Sequence, residues 1–141
     1  MRQVKRGSAL RRYIPRWLLA FFYLAAGILH LVLPAPFVSI VPGWVPAPAT
    51  TVSLTGMAEI LGAAGLLQPF SNGLRKAAGW GLAAYALCVW PANVQHMLID
   101  LAKPGHGLGL AYHIPRLALQ PVLIWWALWA SEAAHWPRRR H

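Results

Sequence analysis

The chain has 141 residues, 57% of them apolar and only 11% charged, with a mean hydropathy of +0.45. A water-soluble domain carries roughly a quarter charged residues to cover its surface, so this composition excludes an ordinary soluble fold and leaves the bilayer as the solvent. The net charge of +10 does not describe a nucleic-acid reader either, because Lys and Arg crowd the two ends and one short turn and bracket apolar runs instead of forming one basic face.

Residues 1–16 hold Arg2, Lys5, Arg6, Arg11, Arg12 and Arg16 and read as a basic cytoplasmic tail. Four apolar segments follow within residues 17–134: Trp17–Leu33, Val52–Gln68, Ala77–Val94 and Leu117–Ala134. Each is close to the ~17–25 residues that carry a helix across a bilayer. Helices are expected over strands, because backbone groups in lipid must be satisfied within the segment and no two-residue alternation is present. The first segment reads as an uncleaved helix, since LVLPAPFVS offers no small-x-small cleavage site for a signal peptidase. The connections are the proline-rich PAPFVSIVPGWVPAPAT (34–50), the turn PFSNGLRK (69–76) and the loop DLAKPGHGLGLAYH (100–113). Residues 135–141 form a second basic tail.

Orientation follows from Lys and Arg. With four spans, the N-terminal tail, Arg75, Lys76 and Arg138–Arg140 lie on one side, and only Lys103 and Arg116 on the other. The positive-inside rule then places both termini in the cytoplasm. The expected fold is all-α, an integral membrane four-helix bundle. Trp17 and Trp136 fall at the inner interface and Trp44 in the outer loop, as an aromatic belt requires. Trp90, Trp125, Trp126 and Trp129 lie deeper and suit packing or lipid contact better than a quinone cleft. The lone cysteine, Cys88, has no partner for an intramolecular disulfide and reads as a small buried hydrophobe.

Glu59 is the one formally charged side chain between Arg16 and Arg75. On an inward-running second helix it lies ~10 Å below the outer surface at ~1.5 Å per residue. The same depth collects His30 near the outer end of helix one, Asn93 and His96 on helix three, and Arg116 and Gln120 entering on helix four. Tyr23, Gly27 and His30 form an i, i+4, i+7 stripe. A carboxylate in hydrocarbon costs at least a few kcal/mol and must face inward and find a partner. Arg116, His30 and His96 are the available partners for Glu59. Gly56 and Gly62 flank it at i−3 and i+3 and permit close helix approach. Two readings stand side by side: a polar ligand-binding or proton-handling pocket, and a buried ion pair that only locks the bundle. His30, Glu59 and His96 are ligand types for zinc or iron, but no HxxxH or HExxH pair is present and no metal is expected. His106, His113, His135 and His141 fall in loops or ends and carry no expected role.

Four pieces in order, AAGILHLVLP (25–34), IVPGWVP (40–46), TGMAEILGAAGLL (55–67) and VWPANVQHML (89–98), resemble the DoxX family of small bacterial membrane proteins, and RLALQPVLIWWALW (116–129) is similar too. The resemblance implies a four-helix membrane bundle with its recurring polar positions on Gly27, His30, Gly56, Glu59, Gly62, Pro91 and Asn93. It implies a redox-linked accessory subunit, associated with quinone or with thiol and oxidative-stress systems, without establishing an enzyme; the cofactor stays open, a quinone being one option. The implied partners are the lipid bilayer, a membrane or soluble redox protein and a second copy of the chain, with no nucleic acid. A structural or interaction subunit is the competing reading, and a solute carrier a third, weakened by the lack of an inverted repeat.

Overall fold

The computed structural model describes residues 2–134, with side chains from Arg12 onward. His135, Trp136, Arg138–Arg140 and His141, and the 135–141 tail with them, lie outside the described residues. There are no strands among the described residues, and five α-helices follow in order: α1 (Arg2–Val32), α2 (Pro34–Val38), α3 (Pro48–Leu67), α4 (Asn72–Leu101) and α5 (Gly109–Ala130). A 3₁₀ turn at Pro104–His106 joins α4 to α5.

The four long helices match the expected apolar segments, but their ends differ from the hydropathy limits, and α5 stops at Ala130, four residues before the expected Ala134. α1 begins at Arg2 and runs through Pro15, so the basic segment is the first part of one 31-residue helix. Lys, Arg and Gln are good helix formers, and apolarity does not register them. α4 continues past Val94 to Leu101 and α5 starts at Gly109, which shortens the 100–113 loop to a turn. Gly105, Gly107 and Gly109 take positive φ there and reverse the chain within a few residues. The proline-rich connection holds α2, with Pro34 in its first turn where a missing N–H costs nothing.

Packing joins α1 to α3 and α4 to α5, and α3 also lies against α4. The α1–α3 crossing is set by two glycines. A Cβ at Gly27 would stand 2.6 Å from the Gly56 carbonyl, and one at Gly56 would stand 2.9 Å from the Gly27 carbonyl and 2.8 Å from His30 Cβ. Gly62 leaves space for the Leu82 side chain of α4. Leu19, Tyr23, Leu66, Leu82, Leu123 and Ala127 form the core.

The outside is apolar as well: Phe21, Ile28, Leu61, Leu87, Val122 and Trp125 are exposed. Large apolar side chains on both faces of a helix are the pattern of a hydrocarbon environment. Three helical stretches, Arg12–Val32, Pro48–Leu67 and Asn72–Leu101, are long and apolar enough to cross a membrane. α5 has the length, at 22 residues, but carries Pro115, Pro121, His113, Arg116 and Gln120.

The bundle's two ends are chemically different. At the end holding the α3–α4 turn, Arg16 pairs with Glu132 at 2.8 Å and donates to the Ala130 carbonyl, Arg75 lies 4.0 Å from Glu132, and Arg12 donates to the Trp129 carbonyl and covers its ring. The opposite end, where α1 and α4 finish and α3 and α5 begin, carries the polar side chains described next.

Candidate functional site

Glu59 sits on the inner face of α3, 3% exposed. The Gly27–Gly56 crossing draws α1 so close that His30 Nδ1 lies 2.9 Å from Glu59 Oε2. The same nitrogen lies 2.8 Å from the Ala26 carbonyl, one turn back on α1. A ring nitrogen carries one hydrogen and serves one acceptor; its direction favours Ala26, and Glu59 Oε2 is left without a hydrogen-bond donor among the described residues. The His30 ring stacks on Phe37 of α2 at a centroid distance of 3.9 Å, which fixes its plane.

Glu59 and His30 line a cavity of about 730 Å³ bounded by α1, α3, α4 and α5 and roofed by α2 and residues 40–45. Its wall is mainly apolar and aromatic, with Phe22, Phe37, Trp44 and Leu123. The polar residues lining it with Glu59 and His30 include Tyr23, Thr51, Thr55, Tyr85, Asn93, Arg116 and Gln120. Glu59 Oε2, Tyr23 Oη and Gln120 Oε1 are all buried and unpartnered. Pro91, which has no N–H to give the Leu87 carbonyl one turn back on α4, lines the cavity together with Leu87. A buried acceptor without a donor costs ~1–3 kcal/mol. Three buried, unpartnered polar atoms around one space describe a receptacle for hydrogen-bonding matter, whether water or ligand.

Six sequence candidates therefore share this cavity: Tyr23, His30, Glu59, Asn93, Arg116 and Gln120. Gly27 and Gly56 pack α1 on α3, and Gly62 packs α3 on α4. His96 departs from the expected grouping. It shares a hydrogen-bonding network with Asp100 and His113, so a His30–Glu59–His96 metal set does not form. Arg116 does not pair with Glu59; its guanidinium contacts His96 Nδ1 and lies beside the Tyr112 ring. Cys88 is exposed and lines the cavity, in contrast to the buried packing residue expected of it, because its face of α4 turns away from the core.

A second polar centre lies beside the first. Asp100, 2% exposed, receives Lys103 Nζ on Oδ1 at 2.5 Å, and on Oδ2 the Leu108 N–H at 3.3 Å and His113 Nε2 at 3.1 Å. His96 Nε2 lies 3.6 Å from the same Oδ2. His113, to which the sequence assigned no role, is fully buried on α5. Its position in a Gly-rich stretch concealed it; the i,i+4 spacing of His96 and Asp100 is the signal that was present.

A protein-family match covers residues 19–131. The chain belongs to the family described as Domain of unknown function (DUF8561). Both the Glu59 cavity and the Asp100 centre fall inside the matched domain. Neither the curated proteins nor the solved structures yield a match.

Proposed function

We propose that this DUF8561 protein is a four-span bacterial inner-membrane protein, both termini cytoplasmic, that holds a small amphipathic ligand in the Glu59 cavity, in the outer half of the bilayer. The single observation that carries the reading is the buried Glu59 Oε2, lacking a donor among the described residues and facing an aromatic space of about 730 Å³. The unpartnered atoms define the ligand's chemistry. The carboxyl oxygen and the amide oxygen left unpartnered here accept, and a tyrosine hydroxyl does either, so a head group with hydroxyl or other donor hydrogens suits them. An apolar, ring-sized body suits the walls. A quinol meets both requirements, and the DoxX resemblance supports a redox-linked accessory role. The excess of Lys and Arg at the Arg12–Arg16–Arg75 end supports its placement in the cytoplasm.

A second reading is favoured by the 2.9 Å His30–Glu59 approach at a glycine crossing: the pair locks α1 to α3 in a non-catalytic subunit. Native mass spectrometry with lipid extraction, on detergent-purified wild type and Glu59→Gln, separates the two. A quinol or isoprenoid retained by wild type and lost from a folded Glu59→Gln protein supports the cavity reading. Bulk phospholipid alone in both, with an earlier melt for the variant, supports the lock.

A further inference from the structure

We infer that His96, Asp100 and His113 form a binding site for a divalent transition-metal ion of the zinc or iron(II) class. Their ligand atoms, one from each residue, all lie within 4.8 Å of one another. Oδ2 of Asp100 stands 3.1 Å from His113 Nε2 and 3.6 Å from His96 Nε2. Around a tetrahedral ion with bonds of ~2.0–2.1 Å, neighbouring ligand atoms stand ~3.3 Å apart, and both separations from Asp100 Oδ2 lie close to that distance. Two imidazoles and one carboxylate are the donor set that zinc and iron(II) sites use, with the remaining positions open to solvent or a small ligand.

The surroundings fit in detail. Lys103 occupies Oδ1, while Oδ2, the oxygen both imidazoles face, accepts the Leu108 N–H and keeps a second lone pair for the ion. Gly107, at φ +55°, folds the loop onto the carboxylate, where a Cβ would stand 2.7 Å from Asp100 Cγ. Coordination requires the Nε2 lone pair of each histidine, with the hydrogen carried on Nδ1. At His113 this exchange of tautomers breaks no bond on the Nδ1 side, because Nδ1 is buried and unpartnered. At His96 it has one consequence: Arg116, which can only donate, holds Nδ1 as an acceptor and must move off when that nitrogen carries hydrogen. Arg116 also lines the Glu59 cavity, so metal uptake releases a guanidinium toward that space. The inference rests on the Asp100 centre alone and does not require the quinol reading.

The test is metal titration of untagged, full-length protein in detergent with Zn²⁺ by calorimetry and with Co²⁺ by visible absorption, helicity and melting being followed alongside. Wild type is expected to take up one ion with the ligand-field bands of a low-symmetry nitrogen–oxygen site. His96→Gln, at a partly exposed position, and Asp100→Asn are expected to lose the ion while staying helical. Arg116→Gln replaces a donor with a side chain whose amide oxygen can accept from Nδ1, and is expected to tighten binding by about tenfold, the lower end of outer-shell effects. The assignment is overturned if wild type shows no ligand-field bands, or if binding persists in folded His96→Gln and Asp100→Asn. It is equally overturned if binding disappears on replacing His106, His135 and His141 instead.

Discussion

Glu59 and Asp100 are both almost fully buried carboxylates near the same end of one helical bundle, and they are served in opposite ways. Asp100 receives an ammonium, a backbone N–H and an imidazole, with a second imidazole close by. Glu59 has His30 Nδ1 at 2.9 Å, directed to a carbonyl, and the Tyr85 hydroxyl close by, and its Oε2 receives no hydrogen bond among the described residues. The difference follows from chain geometry. Asp100 stands at the last turn of α4, where a glycine-rich reversal can wrap N–H groups and side chains round it. Glu59 stands in mid-helix, where its own backbone is committed and only neighbouring helices supply partners. A carboxylate finished by its loop is suited to hold structure or an ion; one left unfinished beside a cavity is suited to receive something from outside.

Asp100→Ala breaks this comparison most severely. It leaves His113 buried without its one partner and removes the acceptor that ties the α4–α5 connection down. Truncating one side of a buried charged network costs ~3–5 kcal/mol, and we expect a loss of that size in detergent thermal melts of the apo protein. A melt unchanged from wild type would mean that the loop does not depend on the carboxylate.

Gly56→Leu attacks the other carboxylate through its scaffold. A side chain at position 56 meets His30 and the Gly27 carbonyl, so α1 must move away from α3. Overpacking of this kind costs ~1–3 kcal/mol, and it should carry His30 off Glu59 and remove ligand retention together with stability. Gly62→Ala, which meets only the movable Leu82 side chain, is the milder control.

Glu59→Gln keeps the shape and removes the charge. With Oε2 already lacking a donor, little hydrogen bonding is lost, so we expect a change of about 1 kcal/mol or less in stability, set against loss of the retained ligand. A stability loss as large as that of Asp100→Ala would erase the contrast between the two sites and favour the lock.

The two carboxylates were unequally visible in the amino-acid sequence. Glu59 announces itself, as one charge in a long neutral stretch, and helical spacing with depth gathered Tyr23, His30, Asn93, Arg116 and Gln120 around it. Asp100 and His113 were hidden because they flank prolines and glycines, which read as loop. That the loop is only a turn, with a helix entering it from each side, depends on the positive φ of Gly105, Gly107 and Gly109, and composition does not encode φ. The partner of Arg116 was hidden for a related reason. Charge alone points it to Glu59, whereas the approach of α4 and α5 brings it to His96 first.

The third carboxylate of the chain, Glu132, gives the comparison its baseline. It lies at the basic end, its side chain 36% exposed, with Arg16 at 2.8 Å and Arg75 at 4.0 Å. Exposed ion pairs are screened by water and contribute ~0.2–1 kcal/mol, and Glu132→Gln is expected to fall in that range by thermal melts, shrinking further as salt is raised. Arg16 retains its bond to the Ala130 carbonyl when Glu132 is neutralised, so its position is held by backbone and not by charge. A salt-sensitive loss well above 1 kcal/mol would show instead that the Arg12–Arg16–Arg75 cluster depends on Glu132 to offset its own repulsion. In that case carboxylates at both ends of the bundle would be structural, and only Glu59 would remain free for another task.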